Sequence, residues 1–190
     1  MKYPNIAFSG KMGVGKTTAA NLLNNQYKYT KISFAQDLRD CAKVFFDFQD
    51  MDFKHPDRKA NPFKSRLRDK IYDWSPRDFL IGLGSFVRFY EPDYWLDAVL
   101  DQIKENPKPH YALDDLRFKN EADKLKKAGF ILVRVNRYEK ENPYGPPKDL
   151  PSETDLDNYT GFDYVVNEVE NTSIERLRTR LTHIVDELKS

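Results

Sequence analysis

SGKMGVGKTT, Ser9 to Thr18, holds a complete G-x-x-x-x-G-K-[ST] from Gly10 to Thr17, between the short apolar run Asn5–Ser9 and the helix-patterned stretch Lys16–Asn25. Glycines between a strand and a helix let the backbone curl until several N–H groups converge on one anion. The helix that follows adds its partial positive charge at the same point. Gly10, Met12, Gly13, Val14, Gly15, Lys16, Thr17 and Thr18 are therefore candidate nucleotide-binding residues. Lys16 suits the β and γ phosphates, and the Thr17 hydroxyl suits a magnesium ion bridging them. An ATP or GTP site with Mg2+ follows from this stretch, but the loop serves motors, switches, ATPases and kinases alike.

Outward from the loop, short apolar runs alternate with longer helical ones, which predicts an α/β fold with a parallel sheet. The predicted strands are Asn5–Ser9, Tyr29–Ser33, His110–Leu113, Phe130–Asn136 and Phe162–Val166. Phe130-Ile-Leu-Val-Arg-Val is the clearest, a continuous apolar run fit for a strand covered on both faces. His110–Leu113 is the weakest. Helices are predicted over Lys16–Asn25, Ala35–Phe48, Pro76–Tyr90, Pro92–Asn106, Arg117–Ala128 and Ser173–Leu188, the last capped by Thr172 or Ser173. Two segments break the alternation. Asp50–Trp74 carries Pro56, Pro62 and a run of basic residues, and Tyr138–Thr160 carries Pro143, Pro146, Pro147 and Pro151. Proline at that density excludes a long helix or a central strand. Both read as insertions in a single domain spanning residues 1–190, over about 50–75 and 137–160.

Composition narrows the function. With 31 Lys and Arg against 30 Asp and Glu, the net charge is +1, too small for a protein that coats nucleic acid. No direct nucleic-acid binding is expected. The single Cys41 has no partner for an internal disulfide, which suits a reducing, cytoplasmic setting, and reads as a half-buried helix residue. The opening MKYPNIAFSG has too short an apolar run for a signal peptide, and no stretch reaches membrane-spanning length.

The acceptor side is read from LDDLRFKNE, Leu113 to Glu121. Carboxylates at the carboxyl end of a parallel strand stand where such sheets bind ligands. Asp115 is a candidate for holding magnesium or orienting the attacking oxygen, and Arg117 for gripping an acceptor phosphate with its two-pronged fork. Glu121, one turn on, would hold Arg117 or take a substrate hydroxyl. Ordinary surface charge at a helix start is the competing explanation. Arg77 and Arg88 share one face of the helix RDFLIGLGSFVRFY, and Trp95 follows, able to pack on a base, a sugar or the core. Arg68, in the basic insertion, and the strand-end Arg134 and Arg137 add positive charge. Phosphoryl transfer between two anions needs cations of this kind.

Taken in order, these stretches resemble the bacteriophage deoxynucleoside monophosphate kinases, P-loop kinases of the nucleoside monophosphate kinase fold. The resemblance runs through SGKMGVGKTTAA, SFAQDLRDCAKVFF, RDFLIGLGSFVRFYEPDYW, DDLRFKNEADKLKKAGFILVRVNR, PSETDLDNY and FDYVVNEV. Asp115, Arg117 and Glu121 resemble the acceptor-side signature, Arg77 the arginine opening the substrate helix, Arg137 the arginine entering the lid, and Ser152-Glu153 its Ser/Thr-Glu pair. The lid of such kinases often carries a histidine before that pair, where this chain reads Asp149-Leu-Pro-Ser-Glu. The resemblance implies a three-layer fold with a five-stranded parallel sheet flanked by helices, a substrate-binding insertion and a lid. Motifs and resemblance together give as catalytic candidates Lys16, Asp115, Arg117 and Arg137, as substrate-binding candidates Arg68, Arg77, Arg88, Trp95, Arg117 and Glu121, and as metal ligands Thr17 and Asp115. The implied reaction transfers the ATP γ-phosphoryl group to a deoxynucleoside monophosphate. A homodimer is also implied, and a host-cell cytoplasm if the chain is phage-encoded. Two alternatives stay open at this stage. One is another small P-loop kinase, acting on dephospho-coenzyme A or a sugar acid, with Asp115 as base. The other is a nucleotide-dependent ATPase or switch.

Overall fold

The computed structural model describes residues 3–107, 110–137, 145–168 and 174–189. Thr172, Ser173 and residues 138–144 of the predicted lid lie outside these, and the structure bears on nothing predicted for them. Two compact units are present, one formed by residues 1–33, 99–142 and 146–190, the other by residues 34–98 and 143–145.

The first unit is built on a sheet of five strands: β1 (Ile6–Ser9), β2 (Thr30–Ile32), β3 (Tyr111–Leu116), β4 (Ile131–Arg137) and β5 (Tyr164–Glu168). Their order is β2-β3-β1-β4-β5, and every pairing is parallel. Parallel neighbours require crossovers: α1 (Lys16–Tyr27) lies on the connection from β1 to β2 and α7 (Lys119–Lys127) on that from β3 to β4, while α9 (Ile174–Glu187) follows β5. Ile6, Phe8, Val133 and Val135 from the central strands pack with Leu22 and Leu23 of α1 and with Leu181 and Val185 of α9. Ala7 and Leu132, on the opposite face, are fully buried as well, so β1 and β4 are covered on both sides and lack the alternation of a half-exposed strand.

β3 departs from its prediction. Strand His110–Leu113 was expected to stop before the aspartates, yet β3 continues through Asp114 and Asp115 to Leu116. It also sits inside the sheet, between β2 and β1. Against β1 its register runs from Ala7↔Leu113 to Ser9↔Leu116, so three steps on β3 face two on β1. The extra residue falls in the Asp114–Asp115 stretch, as a bulge does beside many functional sites. Asp114 tolerates burial because the Lys31 ammonium lies 3.3 Å from its carboxylate.

The second unit is helical: α2 (Phe34–Phe45), the short α3 (Asp50–Lys54) and α4 (Pro56–Ala60), then α5 (Pro76–Tyr90) and the start of α6 (Tyr94–Glu105). α5 begins where predicted because Ser75 and Asp78 cap it reciprocally, Ser75 Oγ accepting from the Asp78 amide at 3.2 Å and Asp78 Oδ2 from the Ser75 amide at 2.8 Å, with Pro76 in the first turn. Phe46, Phe48, Phe63, Tyr72, Trp74 and Phe79 form one aromatic cluster, with Phe48 and Phe63 ring centres 4.3 Å apart. The predicted insertion at about 50–75 thus wraps an aromatic core and contains α3 and α4. Cys41 is exposed, not half-buried. Among the described residues no helix is long and apolar enough to cross a membrane.

Candidate active site

The phosphate loop leaves β1 at Ser9 and enters α1 at Lys16. Gly10 has φ 145°, and a Cβ there would come within 2.2 Å of the Val135 carbonyl oxygen on β4. Only glycine lets the loop start against that strand. Lys16 is 7% exposed. Its Nζ donates to the Gly10 carbonyl at 2.8 Å and the Lys11 carbonyl at 2.7 Å, so the lysine curls back over its own loop. Burial, then the nearby Arg117 guanidinium, lowers its pKa to about 7; Glu153, Asp114 and Asp115 pull the other way. Thr17 is exposed on the first turn of α1.

The sheet's carboxyl edge brings Arg117, from the Leu113–Glu121 stretch, to this loop. Ser9 is in register with both Leu116 on β3 and Arg134 on β4. Asp115 Oδ2 accepts from Ser33 Oγ at 2.8 Å. Arg117 follows β3 directly, and its Nη1 donates to the Gly10 carbonyl at 3.1 Å, to Glu153 Oε1 at 2.8 Å and to the Ser152 carbonyl at 3.4 Å. The other two guanidinium nitrogens, Nε and Nη2, make no hydrogen bond among the described residues and are not buried. Arg117 is therefore gripped at one corner, with the remaining edge open to a bidentate oxyanion.

Glu121 holds Arg117, one of its two expected roles, and does so at the backbone amide. It is 1% exposed, and Oε2 accepts from the amides of Arg117 at 3.0 Å and Phe118 at 3.1 Å. It ties down the backbone at the start of α7, which begins two residues later than predicted, at Lys119.

Glu153, Lys11 and Arg134 complete the site; of these, only Lys11 had no role in the sequence pattern. Glu153, on the short helix α8 (Pro151–Thr154), accepts from the Met12 amide at 3.0 Å. Lys11 Nζ donates to the Glu153 carbonyl and, at 2.7 Å, to Asp157 Oδ2. Arg134 bridges Ser9 Oγ and Asp157 Oδ1, both at 3.2 Å. Ser152-Glu153 was legible only as a motif, since its partners lie 36 and 141 residues away in the chain. Arg137 ends β4, exposed.

In the second unit the predicted cations divide. Arg77 is buried, Arg88 half-buried and Arg68 exposed. The basic insertion is neutralised in part by its own acids. Arg66 grips Asp52 through both terminal nitrogens, at 2.9 and 3.1 Å, and Lys54 pairs with Asp50 at 3.2 Å. Trp95 is 2% exposed, its Nε1 turned to the Gly84 carbonyl at 3.4 Å. This corrects its expected place on the substrate: its ring is enclosed in the helical core. A cavity of about 430 Å3 in this unit is lined by Phe45, Trp74, Phe79, Leu83, Phe86, Gly82 and Asp78.

The donor set suits a hard cation of modest demands. No cluster of three or more His, Cys, Asp or Glu side chains able to hold a metal occurs among the described residues. The Thr17 hydroxyl and the Asp115 carboxylate, whose Oδ2 accepts from Ser33 Oγ at 2.8 Å, are each an oxygen donor of the kind magnesium takes.

No family model matches the chain. It is 28% identical over 201 residues to a protein of Acanthamoeba polyphaga mimivirus provisionally named a deoxynucleotide monophosphate kinase, covering 95% of each chain. That name is the one the sequence motifs resemble. Among solved structures, a sugar kinase from a Janibacter species superposes with a TM-score of 0.54 at 12% identity, covering 99% of this chain and 96% of that one. A gluconokinase from Sinorhizobium meliloti gives 0.49 at 13% identity, covering 97% and 95%. Together with the five-stranded parallel sheet, the likeness to the Janibacter structure makes the fold three-layer α/β, of the P-loop kinase type.

Proposed function

We propose that this chain is a deoxynucleoside monophosphate kinase, moving the γ-phosphoryl group of ATP to the 5′-phosphate of a deoxynucleoside monophosphate and releasing ADP and the diphosphate. The observation that carries the reading is Arg117, pinned to the phosphate loop through Nη1 at the Gly10 carbonyl, with Nε and Nη2 open. An arginine fork beside a nucleotide loop suits a second phosphate better than an alcohol. The name of the viral relative supports the same acceptor.

In this reading the loop amides and Lys16 hold the donor phosphates. Lys16 exchanges the Gly10 and Lys11 carbonyls for phosphate oxygens, which restores its positive charge. Thr17 and Asp115 would hold magnesium, which would supply positive charge against the donor phosphates. The open edge of Arg117 takes the acceptor phosphate and brings its oxygen into line with the donor. No strong base is required, because that phosphate is already ionised at neutral pH. Arg137, Arg68, Arg77 and Arg88 are proposed as further phosphate-binding cations, with the residues around 137–160 as a lid that keeps water from the donor.

The test is incubation with ATP, magnesium and each deoxynucleoside monophosphate in turn, with chromatographic detection of diphosphates. Conversion of at least one monophosphate, with stoichiometric ADP, is expected. ATP hydrolysis with every monophosphate left intact would rule the reading out.

A further inference from the structure

Glu153 presents a single carboxylate to two sides of the site. Its side chain is 7% exposed. Oε2 takes the Met12 amide of the phosphate loop at 3.0 Å, and Oε1 takes Arg117 Nη1 at 2.8 Å. A carboxylate this dry keeps both partners, because losing either leaves buried charge without compensation. Its backbone is tied to the same loop, since Lys11 Nζ donates to the Glu153 carbonyl and to Asp157. The helix α8 is thus fastened to the loop at two points and to Arg117 at a third. The direction of the open Nε–Nη2 edge is set by what holds Nη1, namely Glu153, Gly10 and Ser152.

We propose that Glu153 is a positioning residue that couples the two substrate sites, transmitting the position of the loop at Met12 to the phosphate fork of Arg117. The inference rests on the kinase reading above. When donor phosphates order the loop, the Met12 amide sets Oε2, the rigid carboxylate sets Oε1, and Arg117 is held ready for the acceptor phosphate. Coupling of this kind is reciprocal, so the acceptor strengthens donor binding by the same factor. Glutamine at this position offers one acceptor oxygen and turns an N–H against the second donor. Aspartate keeps the charge but is one methylene too short to span both partners.

The experiment measures ADP binding with and without a saturating deoxynucleoside monophosphate, in the unaltered protein, Glu153→Gln and Glu153→Asp. Thermal melts of all three report folding. The unaltered protein is expected to bind ADP about tenfold more tightly when the monophosphate is present. In both variants that ratio falls close to one, while ADP alone binds within about threefold of its normal affinity and the acceptor KM rises more than kcat falls. A purely structural role would weaken ADP binding and lower the melting temperature without touching the ratio. A ratio of one in the unaltered protein, or an unchanged ratio in the folded variants, overturns the inference while diphosphate formation leaves the kinase reading standing. A chain that neither binds nor phosphorylates any monophosphate overturns both.

Discussion

Gly10 on the phosphate loop and Val135 on β4 approach so closely that a Cβ on the glycine would lie 2.2 Å from the Val135 carbonyl oxygen. The same glycine has φ 145°, where a side chain is strained whatever the space. Gly10→Ala is therefore expected to destabilise the protein by about 3 kcal/mol or more, from clash and backbone strain together. Gly13, at φ 85°, has nothing within 4 Å of its missing Cβ. Gly13→Ala should cost only the conformational penalty, roughly 1 kcal/mol. Urea unfolding midpoints compare the two; equal losses would show that the Val135 contact is not what restricts Gly10.

Arg117→Ala is expected to lower turnover about a hundredfold or more while ATP affinity stays nearly unchanged. Arg117→Lys should not rescue it, because an ammonium cannot bond Glu153 and the Gly10 carbonyl and still present a fork. Steady-state kinetics paired with direct ATP binding decide the matter. A parallel loss of ATP affinity would move Arg117 to the donor side.

Lys16 gives the site a pH signature. Burial and Arg117 lower its pKa to about 7, from 10.5 in an unfolded chain. Between those values the unfolded chain holds more protons than the folded one, so this group's contribution to stability rises as pH increases from about 7 to about 10.5. Nucleotide binding runs the other way, since phosphate favours the charged ammonium. ADP binding without magnesium at pH 8 is expected to take up close to one proton, as roughly nine tenths of free Lys16 is neutral there. Calorimetry in two buffers of different ionisation enthalpy measures that uptake. Lys16→Arg, always charged, should abolish it.

Trp95 offers a test of the core assignment. Trp95→Ala is expected to cost about 3–5 kcal/mol, as removal of a 2%-exposed ring should. Trp95→Phe keeps most of the volume and gives up the 3.4 Å bond to Gly84, so it should stay folded with the acceptor KM unchanged within about twofold. A tenfold rise in acceptor KM in a folded Trp95→Phe would return the ring to the substrate.

Legibility in the sequence tracked how local the cause was. The loop and the start of α5 were readable because glycine spacing and a proline at the first turn act over a few residues. β3 was underestimated because its two aspartates imitate the end of a strand. What lets them stay inside the sheet is Lys31 and Ser33, about eighty residues earlier. Glu121 fits the pattern of an Arg–Glu pair on a helix face, yet its Oε2 takes two backbone amides, which no side-chain pattern displays. Among the basic residues of the insertion, only the folded chain distinguishes Arg66, engaged with Asp52, from the exposed Arg68.

By itself the sequence determined the parallel α/β order, the phosphate loop and its chemistry, and the identity of Arg117 as an acceptor-side candidate. These follow from periodicity and from residue types that carry their conformation with them. Only the tertiary structure decided that Arg117 hangs from one nitrogen, that Glu153 joins it to the loop, and that Trp95 belongs to the core. Each of those depends on hydrogen bonds or burial created when distant segments meet. Such contacts arise from packing and leave no period in the chain.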